Sequence, residues 1–200
     1  ENVENLRADT CIWEYGGVDA NDHPLLTLGH RGILYVELIV RTASQDAHSG
    51  LGGTIFPNAA WRLTWALASL KGTDENVRIA GFYNKVKPVS YRIRSLLEEL
   101  PDQSADYKER YAVKEFLRGV KSGAELRLLE AHEPSCTICG LTSGYQGPGS
   151  KTVLPAYASA KVDFRLVPDQ DPVEILELLR AHLDRNGFDD IEIINHGYNY

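Results

Sequence analysis

The sequence predicts an α+β fold, a ferredoxin-like two-layer sandwich in which two helices cover one face of an antiparallel sheet, with a helical insertion. Two observations lead to this prediction. Strand and helix patterns follow one another in the order β-α-β-β-α-β. A polar segment at about 84–134, divided by prolines, interrupts that order with further helical patterns. Residues 1–30 are expected to be a lead-in left from another domain, so that 31–200 form the predicted domain.

The first half of the pattern is a strand at 33–43, a glycine-rich loop and a helix at about 58–71. The helix is expected to bury four apolar residues at helical spacing, namely Ala60, Leu63, Leu67 and Leu70. Inside the insertion, helices are predicted at 91–100, 107–117 and 124–131.

The last third contains the clearest element boundaries. Strands are predicted at 137–145, 156–167 and 190–196. A helix is predicted at 172–186, because Asp171 can cap its first turn, Pro172 suits its first position and Gly187 suits its end. His182 on this helix is expected at the surface or half-buried. The free sheet face, or an edge strand, should then receive a partner subunit or domain.

Composition and charge exclude several classes of function. A formal net charge of -7 and a pI near 5.4 argue against nucleic acid or an anionic membrane as the main partner, since both would repel the chain. No apolar run approaches the ~20 residues of a membrane span, and the first residues do not resemble a signal peptide, so we expect a cytoplasmic protein. The chain has no methionine, which predicts a processed product or a piece of something longer.

Cys136 and Cys139 match the CxxC spacing of many metal and redox sites. Residues three apart on a strand face opposite sides of the sheet, so neither role is expected here. Together with Cys11 they form no even set for disulfides.

The loop at 46–53, with the sequence DAHSGLGG, is the strongest candidate for chemistry. It places His48 between Asp46 and Ser49 at the junction of a strand and a helix, where the ring should point outward. Three glycines within four residues permit positive φ angles and close approach of a backbone or a ligand. The alternative is a structural histidine that bonds Asp46 and only caps the turn.

Arg165 lies in a predicted strand, on the same face as Lys161 and Asp163. One interpretation is a salt-bridge ladder on a solvated face. The other is a planar guanidinium that binds a carboxylate, with the glycine-rich loop at 147–155 holding a polar ligand beside it.

No complete hydrolytic site is present in the sequence. The six histidines are scattered, and none forms an HxH, HxxxH or HExxH pair. Ser49 follows a histidine but has no second base in view.

Four motifs together resemble the dimetal exopeptidase family of carnosinases, dipeptidases, glutamate carboxypeptidase, aminoacylase, acetylornithine deacetylase and succinyl-diaminopimelate desuccinylase. They are the DAHSGLGG loop, PNAA at 57–60, GYQGPGSKTVLP at 144–155 and FRLVP at 164–168. In that family these motifs belong to the dimerisation or lid domain, a ferredoxin-like insert in a zinc-binding catalytic domain. The resemblance covers roughly residues 6–198, and the insertion is its least diagnostic part.

The resemblance implies roles for four residues. His48 would reach into the active site of the neighbouring subunit and stabilise the tetrahedral oxyanion in trans. Arg165 would hold the terminal carboxylate of the substrate, and Thr152 would contact the same end. Asp9, which ends the motif LRAD, would ligate one of two divalent metal ions, expected to be zinc. The alternative for Asp9 is a plain capping or surface aspartate.

The residues that match the family do not include its metal-binding HxD pair, its Glu-Glu pair with the general base or its late metal-binding histidine. Glu98-Glu99 is expected to be solvated charge at a helix end, and His196 lacks the expected context. We therefore expect the dimerisation or lid part of a longer peptidase or amidohydrolase, inactive alone and without a complete metal site. Its partners would be the catalytic domain of the same parent chain, a second copy, and a dipeptide or N-acyl amino acid with a free carboxylate. The enzyme hypothesis predicts that His48 and Arg165 are exposed. The rival hypotheses are a free-standing ferredoxin-like module that binds a small molecule or dimerises without catalysis, and an inactive structural homologue.

Overall fold

The computed structural model describes residues 4–5, 7–9, 17–18, 22–24 and 29–200. The chain divides into two compact units, Glu1–His30 and Arg31–Tyr200. In the first unit, Asp9 lies in an exposed bend. Leu6 of the LRAD motif and Cys11 lie outside the described residues.

The second unit contains both strands and helices. Its strands are β1 (Gly32–Arg41), β2 (Ala47–His48), β3 (Ser135–Ser143), β4 (Val153–Leu154), β5 (Tyr157–Leu166) and β6 (Glu192–Asn199). Its helices are α1 (Ser49–Gly52), α2 (Ala59–Leu70), α3 (Tyr91–Glu99), α4 (Ser104–Tyr111), α5 (Gly123–His132) and α6 (Pro172–Arg185), with a 3-10 turn at Leu117–Gly119. The predicted α+β class is therefore confirmed.

The main sheet has the strand order β3-β5-β1-β6, and each neighbouring pair is antiparallel. Alternate residues of β1 are fully buried beneath the helices, namely Leu34, Val36, Leu38 and Val40. The opposite side, here called the outer face, carries Tyr35 and Glu37 from β1 and Asp163 and Arg165 from β5. Within the second unit β3 and β6 form the two edges of this sheet.

Helix α2 packs on the inner face of the sheet through a stripe of four buried residues, namely Ala59, Leu63, Ala66 and Leu70. The expected stripe was wrong at two positions, because Ala60 and Leu67 are only half-buried. Small side chains at Ala59 and Ala66 let the helix approach the sheet closely. A prediction based on apolar spacing along the helix does not detect this, and it placed the buried stripe one residue away, at Ala60 and Leu67.

Helix α6 covers the other half of the inner face. Its first turn is capped by Asp171, whose Oδ1 accepts a hydrogen bond from the N–H of Val173 at 2.8 Å, and Gly187 beyond its end has a φ of 75°. The predicted boundaries of this helix are confirmed to within a residue. His182 is buried rather than near the surface, because α2 lies against it and Ser69 Oγ sits 3.1 Å from its Nε2.

The segment between α2 and β3 contains the insertion helices. Helices α3 and α5 pack against each other, whereas α4 has no buried residue. The helix predicted at 107–117 is wrong in both boundaries. Helix α4 spans Ser104–Tyr111 and ends at Ala112, whose φ of 52° is left-handed and stops the helical path.

Candidate functional site

His48 is an exposed residue at the end of β2, and it also caps the N-terminus of α1. Its Nδ1 accepts a hydrogen bond from the N–H of Gly50 at 3.0 Å. Because a backbone N–H only donates, Nδ1 carries no proton, and the neutral ring must carry its proton on Nε2. That nitrogen lies 2.9 Å from Thr152 Oγ1. The site therefore presents an N–H donor on a ring held at both nitrogens.

Two short strands connect the His48 loop to the loop that carries Thr152. In the β2–β4 pair, His48 lies opposite Val153, and the N–H of Ser49 donates to the carbonyl oxygen of Thr152 at 2.9 Å. Asp46 does not bond His48; its Oδ1 accepts from the N–H of Ala156 at 2.9 Å instead. The carboxylate therefore anchors the loop, and the orientation of His48 comes from Gly50 and Thr152.

The glycines of this loop are required for close approach. A Cβ on Gly50 would lie 3.0 Å from Cε1 of His48, and a Cβ on Gly53 would lie 2.5 Å from the carbonyl oxygen of Ser49. None of the three loop glycines, Gly50, Gly52 and Gly53, has a positive φ, so of the two freedoms that glycine permits the loop uses only close approach. The space left by Gly50 is occupied by the imidazole, which is how the sequence positions the ring.

Arg165 projects from β5 onto the outer face, and 44% of its side chain is exposed. Its Nε donates to Asp163 Oδ2 at 3.2 Å, which corresponds to the salt-bridge interpretation. Among the residues described, its two terminal nitrogens have no hydrogen-bond partner. The side of the guanidinium that carries these two nitrogens is thus free to bind a carboxylate.

His48 and Arg165 lie at opposite ends of the sheet. Arg165 pairs with Ile33 near the start of β1, whereas the His48 loop follows the end of β1, where Arg41 pairs with Tyr157. The strand from Tyr157 to Arg165 spans about 27 Å at the rise per residue of an antiparallel strand. Thr152 lies beside His48 and is separated from Arg165 by the length of β5. Within one chain the structure therefore brings His48 and Thr152 together, and Arg165 stands apart.

A cleft of about 130 Å³ opens near the start of β3. Its charged lining consists of Arg31, Lys71, Glu75, Arg118 and Glu133. Sequence reasoning missed this cluster, because its members come from distant segments and follow no local motif. Burial lowers the pKa of the Arg31 guanidinium, and the nearby positive charge of Arg165 lowers it further.

The two cysteines of the CxxC pattern lie in different surroundings and do not form a shared metal or redox site. Cys136 is buried at the floor of the cleft, and burial raises the pKa of its thiol to about 12. Cys139 is exposed. The expectation that they face different environments is confirmed.

Asp9, the predicted metal ligand, is exposed in the first unit. In the part of the chain that the structure describes, no three His, Cys, Asp or Glu side chains are grouped so that they could hold a metal ion. The described residues therefore do not by themselves fit a two-metal centre. Nor do they include a helix with the length and apolar character needed to span a bilayer.

The model of the peptidase dimerisation domain family matches residues 28–190. The chain belongs to this family. Among curated relatives of this dimerisation domain, a Beta-Ala-His dipeptidase from Rattus norvegicus is 29% identical over 175 residues, covering 85% of this chain and 35% of the dipeptidase. A Cys-Gly metallodipeptidase from Saccharomyces cerevisiae is 28% identical over 161 residues, covering 80% of this chain and 33% of that protein.

Solved structures are also similar to this dimerisation domain. An M20 family metallo-carboxypeptidase from Sulfolobus solfataricus has a TM-score of 0.90 at 35% identity, covering 100% of this chain and 51% of that chain. Human carnosine dipeptidase 1 has a TM-score of 0.73 at 25% identity, covering 82% of this chain and 36% of that chain. The chain thus spans about a third of the length of the dipeptidases that it matches and about half of the carboxypeptidase.

Proposed function

We propose that this domain is the dimerisation and lid part of a metal-dependent peptidase or amidohydrolase that cleaves dipeptides or N-acyl amino acids next to a free carboxylate. Its family and the peptidase relatives support this proposal. Two divalent metal ions, expected to be zinc, would be held mainly by a catalytic domain outside this chain, with Asp9 as one ligand. The domain alone would be inactive.

His48 would stabilise the oxyanion that forms when the scissile carbonyl is attacked. Its exposed ring suits this role, because the Gly50 N–H fixes the ring through Nδ1 and the Nε2–H has only to exchange Thr152 Oγ1 for the developing negative charge. One such donor accounts for about 10²- to 10³-fold in rate.

Arg165 would bind the terminal carboxylate of the substrate. Its open terminal nitrogens match the two oxygens of a carboxylate, and a lysine would present only one point of contact. An enzyme that holds this end of its substrate cleaves at a fixed distance from it, which favours dipeptides and N-acyl amino acids.

The separation of His48 from Arg165 is the observation that carries the proposal. A dipeptide extends over about 7 Å, whereas about 27 Å of strand lies between the two ends of the sheet. One copy therefore cannot apply both residues to one substrate. In a homodimer, the His48 and Thr152 of one copy would meet a substrate held by Arg165 of the other, with Thr152 contacting the carboxylate end from across the interface.

Two exposed surfaces suit the homodimer contact. On α2, Trp61 and Trp65 stack with their ring centroids 5.8 Å apart, and each remains more than half exposed. On the edge strand β3, Ile138 and Leu141 are also more than half exposed. Exposed aromatic residues and an unpaired strand edge are both typical of surfaces that bind another subunit.

Two substitutions in the whole protein that carries this chain test the proposed roles. His48→Ala is expected to lower turnover by at least about 10²-fold while dimerisation and metal content stay intact. Arg165→Lys is expected to raise the Michaelis constant for substrates with a free carboxylate but not for their amides or esters. Unchanged turnover would remove His48 from the mechanism, and equal effects on both substrate classes would make Arg165 a structural residue.

A further inference from the structure

We infer that Asp163 is a positioning residue that holds the Arg165 guanidinium with its terminal nitrogens free for the substrate carboxylate. The inference rests on the proposed function of Arg165. It combines the two interpretations of Arg165, the salt bridge and the carboxylate-binding group, because the salt bridge to Asp163 orients the guanidinium that binds the carboxylate.

Asp163 lies on the outer face of β5, which is one of the two inner strands of the sheet. It lies directly opposite Tyr35 on β1 and Thr137 on β3, and only 8% of it is exposed. Its Oδ2 accepts from Nε of Arg165, while its Oδ1 is buried and has no hydrogen-bond partner among the described residues. A buried carboxylate oxygen without a partner lowers stability. A residue kept for folding alone would not need an ionisable group at this position.

The point of contact on the guanidinium decides what the pair can do. Asp163 and Arg165 are two residues apart on one face of a strand, so the short carboxylate reaches Nε, the nitrogen nearest the backbone. A guanidinium bonded at Nε has its rotation restricted and keeps its two terminal NH2 groups for a second carboxylate. The contact therefore orients Arg165 and leaves its binding edge open.

Arg31 adds a reason for a negative charge at this position. It precedes Ile33 by two residues, and Ile33 is the cross-strand partner of Arg165, so the two arginines are diagonal neighbours. Arg31 donates to the carbonyl oxygen of Glu133 at 3.2 Å and lies in the field of both Arg165 and Asp163. The Asp163 carboxylate offsets the repulsion that would otherwise push Arg165 away from Arg31.

Asp163→Asn in the whole enzyme tests the inference, because it removes the charge and keeps the shape. The Michaelis constant for a free-carboxylate substrate is expected to rise about tenfold, with turnover and the Michaelis constant for the matching amide unchanged. Glu37→Gln is the matched control. Glu37 also lies on the outer face and its Oε2 is hydrogen-bonded, but the partner is His196 Nε2 at 3.0 Å, so this variant should leave both Michaelis constants unchanged.

A second measurement uses the present chain and does not depend on catalysis. In the NMR spectrum of the wild-type chain, the Nε–H signal of Arg165, assigned by its loss in Arg165→Lys, should exchange slowly with water. It should exchange at the rate of an exposed arginine in Asp163→Asn and remain slow in Glu37→Gln. Fast exchange in the wild-type chain would overturn the inference even if the Asp163 variant failed to fold.

The outcomes separate this inference from the proposed function. If Arg165→Lys changes the preference for free carboxylates and Asp163→Asn does not, Asp163 has no positioning role and the function of Arg165 stands. If Asp163→Asn raises both Michaelis constants equally, its role is structural and the inference fails. If Arg165→Lys leaves the preference unchanged, the proposed function itself fails.

Discussion

Gly50→Ala tests whether the position of the His48 ring matters, without removing the ring. The added Cβ would lie 3.0 Å from Cε1 and 3.1 Å from Nδ1 of His48, which is tighter than an ordinary contact. The ring must therefore move by about 0.5 Å to restore normal carbon–carbon separation. The backbone at Gly50 is not in the left-handed region, so alanine adds no conformational strain.

The expected loss in turnover is about tenfold, because a displacement of 1 Å in a catalytic group can cost about 10²-fold. Turnover of the whole enzyme and the thermal midpoint of this chain would be measured together, and the midpoint should change little at this exposed loop. Gly29→Ala is the control, since a Cβ there meets nothing within 4 Å. If Gly50→Ala kept full turnover, the orientation of His48 by its neighbours would have no catalytic importance.

Two further predictions concern assembly and stability. Trp65→Ala should weaken homodimerisation more than about tenfold, as expected for an aromatic residue at an interface centre. Sedimentation equilibrium would measure the dimer dissociation constant, and Tyr91→Ala is the control because Tyr91 is an 85% exposed residue of the insertion. Equal dissociation constants for the two variants would place the interface elsewhere. Burial lowers the pKa of His182 in the folded chain, so on acidification the unfolded state binds a proton at this residue before the folded state does. The stability that the neutral ring contributes is therefore present above about pH 6.5, the ordinary pKa of histidine, and is lost as the pH falls through the lowered pKa. The thermal midpoint should thus fall with acidification in the wild-type chain and fall less in His182→Gln, whereas parallel curves would refute the assignment.

The fold was largely predictable because its signals are local. The alternation of β1 and the cap and stop residues around α6 each determine an element from its own sequence. The errors occurred where tertiary contacts decide. Ala66 is buried in place of Leu67 because the sheet approaches α2 closely, and His182 is buried because Ser69 of α2 lies beside it. Neither contact leaves a trace in the local pattern.

The candidate site was predictable by residue type but not by arrangement. The glycine-rich loop and its motif resemblance identified His48, but the tautomer depends on the backbone N–H of Gly50, whose direction only the folded loop determines. The same resemblance grouped Thr152 with Arg165, yet strand pairing brings Thr152 to His48. The pairing register of strands that are distant in sequence determines which residues come into contact. No local sequence pattern reveals that register.

The central claim is that His48 of one copy acts on a substrate bound by Arg165 of another. It is tested most directly by mixing two inactive forms of the whole protein, one with His48→Ala and one with Arg165→Ala, under conditions where subunits exchange. In a mixed dimer, the subunit that keeps Arg165 would receive His48 from its neighbour, so each mixed dimer would have one complete site where a wild-type dimer has two. Because half of the dimers in a random mixture are mixed, the mixture should regain about a quarter of wild-type activity. If both residues served the same site from one chain, no mixed dimer would have a complete site, and activity that stayed at the level of the separate variants would contradict the claim.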